Sequence, residues 1–289
     1  LGTDDGLSRY DGYEFKVYKN NPSDSSSLPG NTINAISEDN NGNLWIGHQS
    51  RLYKVNPAGI LTEFSDKLDL LKDAELNFNH LHFGQRSGNL WLGTLANGLY
   101  RLDLETDVLE KYKDVHSGLR SNRILATYED VQGNLWMATA SGLHKLDLVS
   151  ESIEFWNDAK GLPNSFINGI LPEGDSCIWV STDNGLSRFS IETGRFSNFF
   201  QEDGLPANEF NRISFHQSEN GRMYFGSLNG VVSFFPDPEF VWARVRRQAK
   251  LLLTNFSKFD GDIDSMISIL VQQDSKKPIK LSWRDKFFT

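Results

Sequence analysis

The strongest constraint on this chain is an internal repeat of about 45 residues, anchored on a tryptophan. The motif Gly-Asn-Leu-Trp occurs at residues 42–45, 88–91 and 133–136, and two degenerate copies follow it. The anchor aromatic residues are Trp45, Trp91, Trp136, Trp179 and Tyr224, separated by 46, 45, 43 and 45 positions. A repeat of this length indicates like units that are stacked or arranged in a ring.

Each repeat has the composition of short strands joined by tight turns. In the third copy, apolar and aromatic runs cover 124–128, 134–139, 143–148 and 153–156, and Gly133 and Gly142 mark turns. Four antiparallel strands in about 45 residues form the blade of a β-propeller. A small residue lies two positions after every anchor, which we expect to admit a neighbouring blade: Gly47, Gly93, Ala138, Ser181 and Gly226. A solenoid is the structural alternative.

The repeat predicts an all-β chain with two parts. Residues 1–236 are expected to form four full blades plus partial blades at both ends, as an incomplete ring. We expect an open arc of a six- to eight-bladed ring, or five blades if the two ends pair. Residues 237–250 are predicted to be a linker, and 251–289 the truncated start of a second β domain, with strands at 251–256 and 279–283. The chain is therefore interpreted as a fragment.

Composition excludes several function classes. One cysteine in 289 residues rules out a disulfide framework and a cysteine-rich zinc site. The first 236 residues carry 19 basic and 31 acidic side chains, which argues against nucleic-acid binding. No apolar run reaches the roughly 18–20 residues that span a bilayer. Membrane attachment is thus expected only through other parts of a longer parent protein.

The residues that most resemble reactive groups have structural explanations. Cys177 occupies an anchor position that is leucine elsewhere, so we interpret it as a core residue. His80 and His82 share one strand face without a third ligand in reach, which favours hydrogen-bonded histidines over a metal site. His48 lies in a turn, where it faces either a ligand or solvent. No phosphate loop or nucleophile motif occurs, so we predict no catalytic residue, no metal, no cofactor and no enzyme activity.

Two kinds of charged residue recur once per repeat and are interpreted as structural. Acidic pairs at 38–39 and 129–130 precede the anchor turn, and recurrence favours a role in the turn because a catalytic pair is needed only once. A base follows each anchor at a fixed position, where its stem is expected to cover a blade face. These bases are Arg9, Lys54, Arg101, Lys145 and Arg188.

A ligand site is predicted on one face of the propeller. The loops that enter the first strand of each blade and those that join strands two and three surround the channel on the same face. Residues there that depart from the repeat are the candidates, because the scaffold does not dictate them. They are Arg51, Arg123, Phe166, Asn168, Glu209, Phe210, Asn211 and Arg212. This mixture of polar and aromatic groups suits a small polar ligand such as a sugar.

Residues 28–56 and 119–147 resemble the two-component regulator propeller repeat, whose blades run Gly-Leu-Pro-x-Asn followed by Glu-Asp-x-x-Gly-Asn-Leu-Trp-Ile-Gly. Residues 252–256 and 279–288 are similar to the start of the Y_Y_Y domain, an immunoglobulin-like β-sandwich. The resemblance implies the periplasmic sensor region of a bacterial receptor with a histidine kinase or diguanylate cyclase output. It also implies a carbohydrate ligand and a homodimeric parent.

Two other functions compete with a sensor. Streptogramin-type lyases and lactonases have propeller blades with a similar tryptophan motif, but they need histidine and acidic groups with a divalent metal at the channel. A protein-interaction scaffold is the second alternative, since many propellers serve that purpose.

Overall fold

The structure is a computed structural model that describes residues 1–24, 27–65 and 76–236, together with the backbone of three strands nearer the C terminus. The chain divides into two compact units, Leu1–Pro236 and Asp237–Thr289.

The first unit is a six-bladed β-propeller made of antiparallel sheets. Blade 1 contains β1 (Gly2–Thr3), β2 (Gly6–Tyr10) and β3 (Phe15–Tyr18). Blade 2 contains β4 (Ala35–Glu38), β5 (Leu44–His48), β6 (Arg51–Val55) and β7 (Leu61–Glu63). Blade 3 contains β8 (Phe78–Phe83), β9 (Asn89–Thr94), β10 (Leu99–Asp103) and β11 (Val108–Lys113).

The remaining blades follow the same up-and-down order. Blade 4 contains β12 (Ile124–Glu129), β13 (Asn134–Thr139), β14 (Gly142–Asp147) and β15 (Ile153–Trp156). Blade 5 contains β16 (Ile167–Glu173), β17 (Cys177–Thr182), β18 (Gly185–Ser190) and β19 (Arg195–Phe199). Blade 6 contains β20 (Phe210–Gln217), β21 (Met223–Ser227) and β22 (Gly230–Phe234). Short 3-10 helices at Val115–Ser117, Asp158–Lys160 and Gln201–Asp203 lead into the last three blades.

The expected blade count and the incomplete ring were wrong. Four four-stranded blades formed as predicted, but the two end segments each form a three-stranded sheet of their own, which gives six blades. Each end segment pairs antiparallel within itself, and no pairing joins the two segments into one sheet in the residues that the structure describes.

The small residue after each anchor lies where neighbouring blades pack. A Cβ added to Gly47 would lie 3.2 Å from the Cβ of Phe78 on the next blade. One added to Gly93 would lie 3.0 Å from Cγ2 of Ile124, again on the next blade. The predicted reason for a small residue is thus confirmed at both positions. Apolar clusters lie between successive blades, with Trp45, Trp91 and Trp136 almost completely buried.

Buried carboxylates hold the anchor tryptophans. Asp130 accepts hydrogen bonds from the backbone N–H of Asn134 at 2.8 Å and from Nε1 of Trp136 at 2.8 Å, and Asp39 holds Trp45 in the same way. Burial acts to raise the pKa of Asp39, but hydrogen bonds from Asn43 and Trp45 bring that pKa below its ordinary value. The predicted turn role is confirmed for these aspartates. Glu129 differs, because it accepts from Trp91 of the preceding blade and so joins two blades.

The recurring bases lie directly opposite the anchor tryptophans on the adjacent strand. Four pairs share this register: Trp45 with Lys54, Trp91 with Arg101, Trp136 with Lys145, and Trp179 with Arg188. The Nζ of Lys54 lies 5.2 Å from the ring centroid of Trp45, and that of Lys145 lies 5.9 Å from Trp136. The predicted structural role is therefore confirmed for these two lysines.

The described strands of the second unit are β23 (Asn255–Asp260), β24 (Ser265–Leu270) and β25 (Lys286–Phe287). They form an antiparallel sheet with the order β24-β23-β25. Strand β23 overlaps only the end of the strand predicted at 251–256, and β24 was not predicted. The predicted strand at 279–283 and the predicted linker at 237–250 lie outside the described residues. The immunoglobulin-like sandwich stays a prediction.

Candidate functional site

One face of the propeller is organised by a hydrogen bond that repeats in four blades. A backbone N–H in the turn between the second and third strands donates to the backbone oxygen of the residue just before the first strand. The pairs are Leu95 with Asn77, Ala140 with Arg123, Asp183 with Phe166, and Leu228 with Glu209. This bond places Asn77, Arg123, Phe166 and Glu209 at equivalent positions on the predicted binding face.

Three candidate residues converge there into one cluster. The guanidinium carbon of Arg123 lies 5.4 Å from the ring centroid of Phe166, and that of Arg212 lies 5.1 Å from the same centroid. They come from blades 4, 5 and 6 respectively, so neighbouring blades assemble the group. We call Arg123, Phe166 and Arg212 the Arg–Phe–Arg cluster.

Arg212 is presented by an irregularity in the first strand of blade 6. Phe210 pairs with Ser227, and the next paired residue of β20 is Phe215, opposite Phe225. Within this bulge Ile213 has φ of 55°, a conformation that a β-branched residue rarely adopts. Bulges of this kind redirect side chains, and here the bulge carries an exposed arginine toward Phe166.

Asn168 lies beside the cluster and joins two blades. Its Nδ2 donates to Oδ1 of Asp183 at 2.8 Å and to the backbone oxygen of Phe210 on the next blade at 2.9 Å. Asn79 makes the equivalent bond to the backbone oxygen of Ile124 at 3.0 Å. Sequence analysis missed this structural role, although the shared position after the repeated turn was a signal for it. The Oδ1 of Asn168 is buried without a hydrogen-bond partner.

The other candidates are distributed around this centre. Arg51 begins β6 in blade 2 and forms an ion pair with Glu63, away from the cluster. Phe210 is buried edge-to-face against Phe225, with ring centroids 6.4 Å apart. Asn211 donates to the backbone oxygen of Ser227 at 3.1 Å, while the side chain of Glu209 is exposed.

Aromatic side chains of blades 3 and 6 are in contact. The rings of His80 and Phe215 lie 6.1 Å apart, which brings blades 3 and 6 into contact near the axis. Burial lowers the pKa of His80 to about 3, with a smaller contribution from His82. Burial also lowers the pKa of His82 to about 4, and its Nε2 accepts the backbone N–H of Glu129. Both histidines are half-buried and neutral at pH 7, and the Nε2 of His80 has no hydrogen-bond partner.

The remaining reactive groups have structural positions. His48 is buried, with Nδ1 2.6 Å from the backbone oxygen of Thr32, so the expectation that it faces a ligand or solvent was wrong. Burial raises the pKa of the Cys177 thiol, as expected for a core cysteine. In the described ranges, no three His, Cys, Asp or Glu residues are placed to bind one metal ion.

The same chain regions match a known family. Residues 27–50 and 118–141 match the family model of the two component regulator propeller. These two matched segments lie in blades 2 and 4 of the propeller. The second matched segment contains the anchor Trp136 and one of the two arginines of the cluster, Arg123.

A curated histidine kinase is similar to this chain in sequence. "Histidine kinase P4" of Formosa agariphila is 28% identical, and the match covers 67% of this chain and 18% of that kinase. The chain therefore spans less than a fifth of the length of this curated relative.

Solved structures share the fold. The extracellular domain of the putative hybrid two component system BT3049 from B. thetaiotaomicron superposes with a TM-score of 0.61 at 20% identity, covering 92% of this chain and 41% of that one. PorZ, a surface component of the type-IX secretion system of Porphyromonas gingivalis, gives 0.61 at 18% identity, covering 81% and 36%. Of the helices that the structure describes, none has the length and apolarity to cross a membrane.

Proposed function

We propose that this chain is the extracytoplasmic, non-enzymatic sensing region of a bacterial two-component-type receptor. Its propeller binds a small polar ligand, such as a carbohydrate, on the face that carries the Arg–Phe–Arg cluster. The observation that carries the proposal is the convergence of Arg123, Phe166 and Arg212 from three successive blades. A site assembled from several blades responds to a ligand by changing how those blades pack.

The match to the two component regulator propeller family and the similarity to a histidine kinase support a role in signal transduction. The parent receptor on this proposal is a periplasmic homodimer in the inner membrane. Ligand binding shifts how the two copies pack, and the domain after the propeller relays that shift to a kinase or cyclase.

The test is a binding screen of the purified chain. Neutral and acidic mono- and disaccharides are titrated by calorimetry against the wild type, Phe166→Ala and Phe235→Ala. Phe235 is a matched control because it is an exposed aromatic residue in contact with Arg222, outside the Arg–Phe–Arg cluster. We expect at least one saccharide to bind the wild type and Phe235→Ala, and to lose most of its affinity for Phe166→Ala.

Three results would count against the proposal. Silence across the whole screen favours a protein-interaction scaffold, while conversion of a saccharide or lactone favours a lyase. Binding that Phe166→Ala leaves intact would place the ligand elsewhere on the molecule.

A further inference from the structure

The two arginines of the cluster differ from other bases of the propeller. Arg101 pairs with Glu110, Lys113 with Glu151, and Arg188 with Glu173. Arg123 and Arg212 form no ion pair with any carboxylate that the structure describes. Two cations thus share one phenyl ring, in a unit whose overall charge is strongly negative.

One hydrogen-bond donor of the cluster is also without an acceptor. The Nε of Arg123 is buried and has no hydrogen-bond partner. A buried guanidinium N–H without an acceptor is unfavourable, and an oxygen from a bound anion would supply the acceptor. The Oδ1 of Asn168, two positions after Phe166, is likewise buried without a hydrogen-bond partner.

The aromatic ring of the cluster is in contact with two guanidinium groups. A guanidinium over the face of Phe166 occupies the surface on which a sugar ring would stack. The cation–π contacts instead fix the orientation of two planar groups that each bind an oxyanion through paired N–H donors. The geometry therefore favours recognition through charge.

We propose that the ligand carries an oxyanion, as in a saccharide with a carboxylate or sulfate group, bound by Arg123 and Arg212. This inference rests on the proposed function and specifies its ligand class. Arg123 acts through a half-buried guanidinium that its blade holds in place, and Arg212 approaches from the exposed bulge of blade 6.

The experiment compares three disaccharides of similar size by calorimetry at low salt: digalacturonate, a sulfated galactobiose and neutral galactobiose. The variants are Arg123→Gln and Arg212→Gln. Arg222→Gln is the matched control, because Arg222 also lies over aromatic rings, Tyr224 at 5.7 Å and Phe235 at 5.6 Å, but at the turn between β20 and β21. Circular dichroism checks that each variant is folded, and Arg123→Lys replaces Arg123→Gln if the latter does not fold.

We expect at least one anionic probe to bind about tenfold or more tightly than neutral galactobiose, which corresponds to about 1.4 kcal/mol. Each glutamine substitution in the cluster should remove most of that preference, while Arg222→Gln retains it. The two anionic probes distinguish a carboxylate from a sulfate.

Three outcomes would overturn the inference. Equal binding of neutral and anionic probes, with loss of both in Phe166→Ala, would refute an oxyanion ligand and leave the proposed sensing site intact. An anionic preference that persists in both cluster variants would refute the assignment to these arginines. Failure of all three probes, with another neutral sugar binding in the wider screen, would refute the ligand class alone.

Discussion

Acidification should destabilise the propeller through three buried or half-buried histidines. Burial lowers the pKa values of His80, His82 and His144 to about 3, 4 and 4 respectively. The unfolded chain therefore binds more protons than the folded one between pH 6.5 and about 4. Stability contributed by the neutral histidines is present above pH 6.5 and is lost as pH falls through this window.

The expected magnitude follows from the unfolded-state pKa of about 6.5. At pH 5, neutralising one unfolded histidine costs about 2 kcal/mol, because each pH unit below 6.5 adds about 1.4 kcal/mol. Three histidines give a loss of about 6 kcal/mol between pH 7.5 and pH 5, comparable to the whole stability of many domains. Carboxylates contribute little here, since their unfolded pKa values lie near 4.

Urea unfolding followed by tryptophan fluorescence measures this loss at pH 7.5, 6.5, 5.5 and 5. His80→Leu should be less stable than the wild type at pH 7.5 through altered packing, but its stability should fall with pH by about a third less. His116→Asn is the control, because His116 is exposed. A wild-type stability that is flat from pH 7.5 to pH 5, or an unchanged pH dependence in His80→Leu, would refute the reasoning.

Three further predictions concern the scaffold and are measured by the same unfolding assay at pH 7.5. Asp130→Ala should lower the free energy of unfolding by about 3 kcal/mol or more, because it leaves the buried donors of Asn134 and Trp136 without an acceptor. A decrease below about 1 kcal/mol would contradict this prediction. Arg188→Ala should cost about 3 kcal/mol, because Glu173 then keeps its hydrogen bond from Trp179 but loses its charge partner. Lys145→Ala at the equivalent repeat position should cost under about 1 kcal/mol, and equal losses would be inconsistent with the structure. Gly169→Ala should cost about 1–3 kcal/mol, because the new Cβ would clash with Cδ1 of Phe215. An additional Phe215→Leu change should recover part of that loss in stability. If it recovers none, the clash is excluded as the cause.

Periodicity determined what could be predicted from the sequence. The Trp anchors, the small residues after them and the recurring bases occupy equivalent positions in successive blades, so their structural roles followed from repetition. The blade number did not, because whether an end segment completes another blade or pairs with itself depends on contacts across the ring. Glu129 shows the same limit, since its partner Trp91 lies 38 positions earlier on another blade.

The binding candidates were predictable one by one but not as a group. Arg123, Phe166 and Arg212 stood out because they depart from the repeat. Their convergence depends on the bulge in β20 and on the stacking of three blades, and neither leaves a local signal. The same absence of local signal explains the error on His48, whose burial depends on a contact with Thr32 in the preceding loop.

Hydrogen–deuterium exchange of the chain, with and without its tightest-binding saccharide from the screen, tests the location of the binding site most directly. The account predicts slowed exchange in the segments that enter the first strands of blades 4, 5 and 6, at residues 118–124, 161–168 and 204–212. The turns at residues 130–134, 174–176 and 218–222, which join the first and second strands, should exchange at unchanged rates. Protection of those turns, or of another blade instead, would contradict a ligand site at the Arg–Phe–Arg cluster.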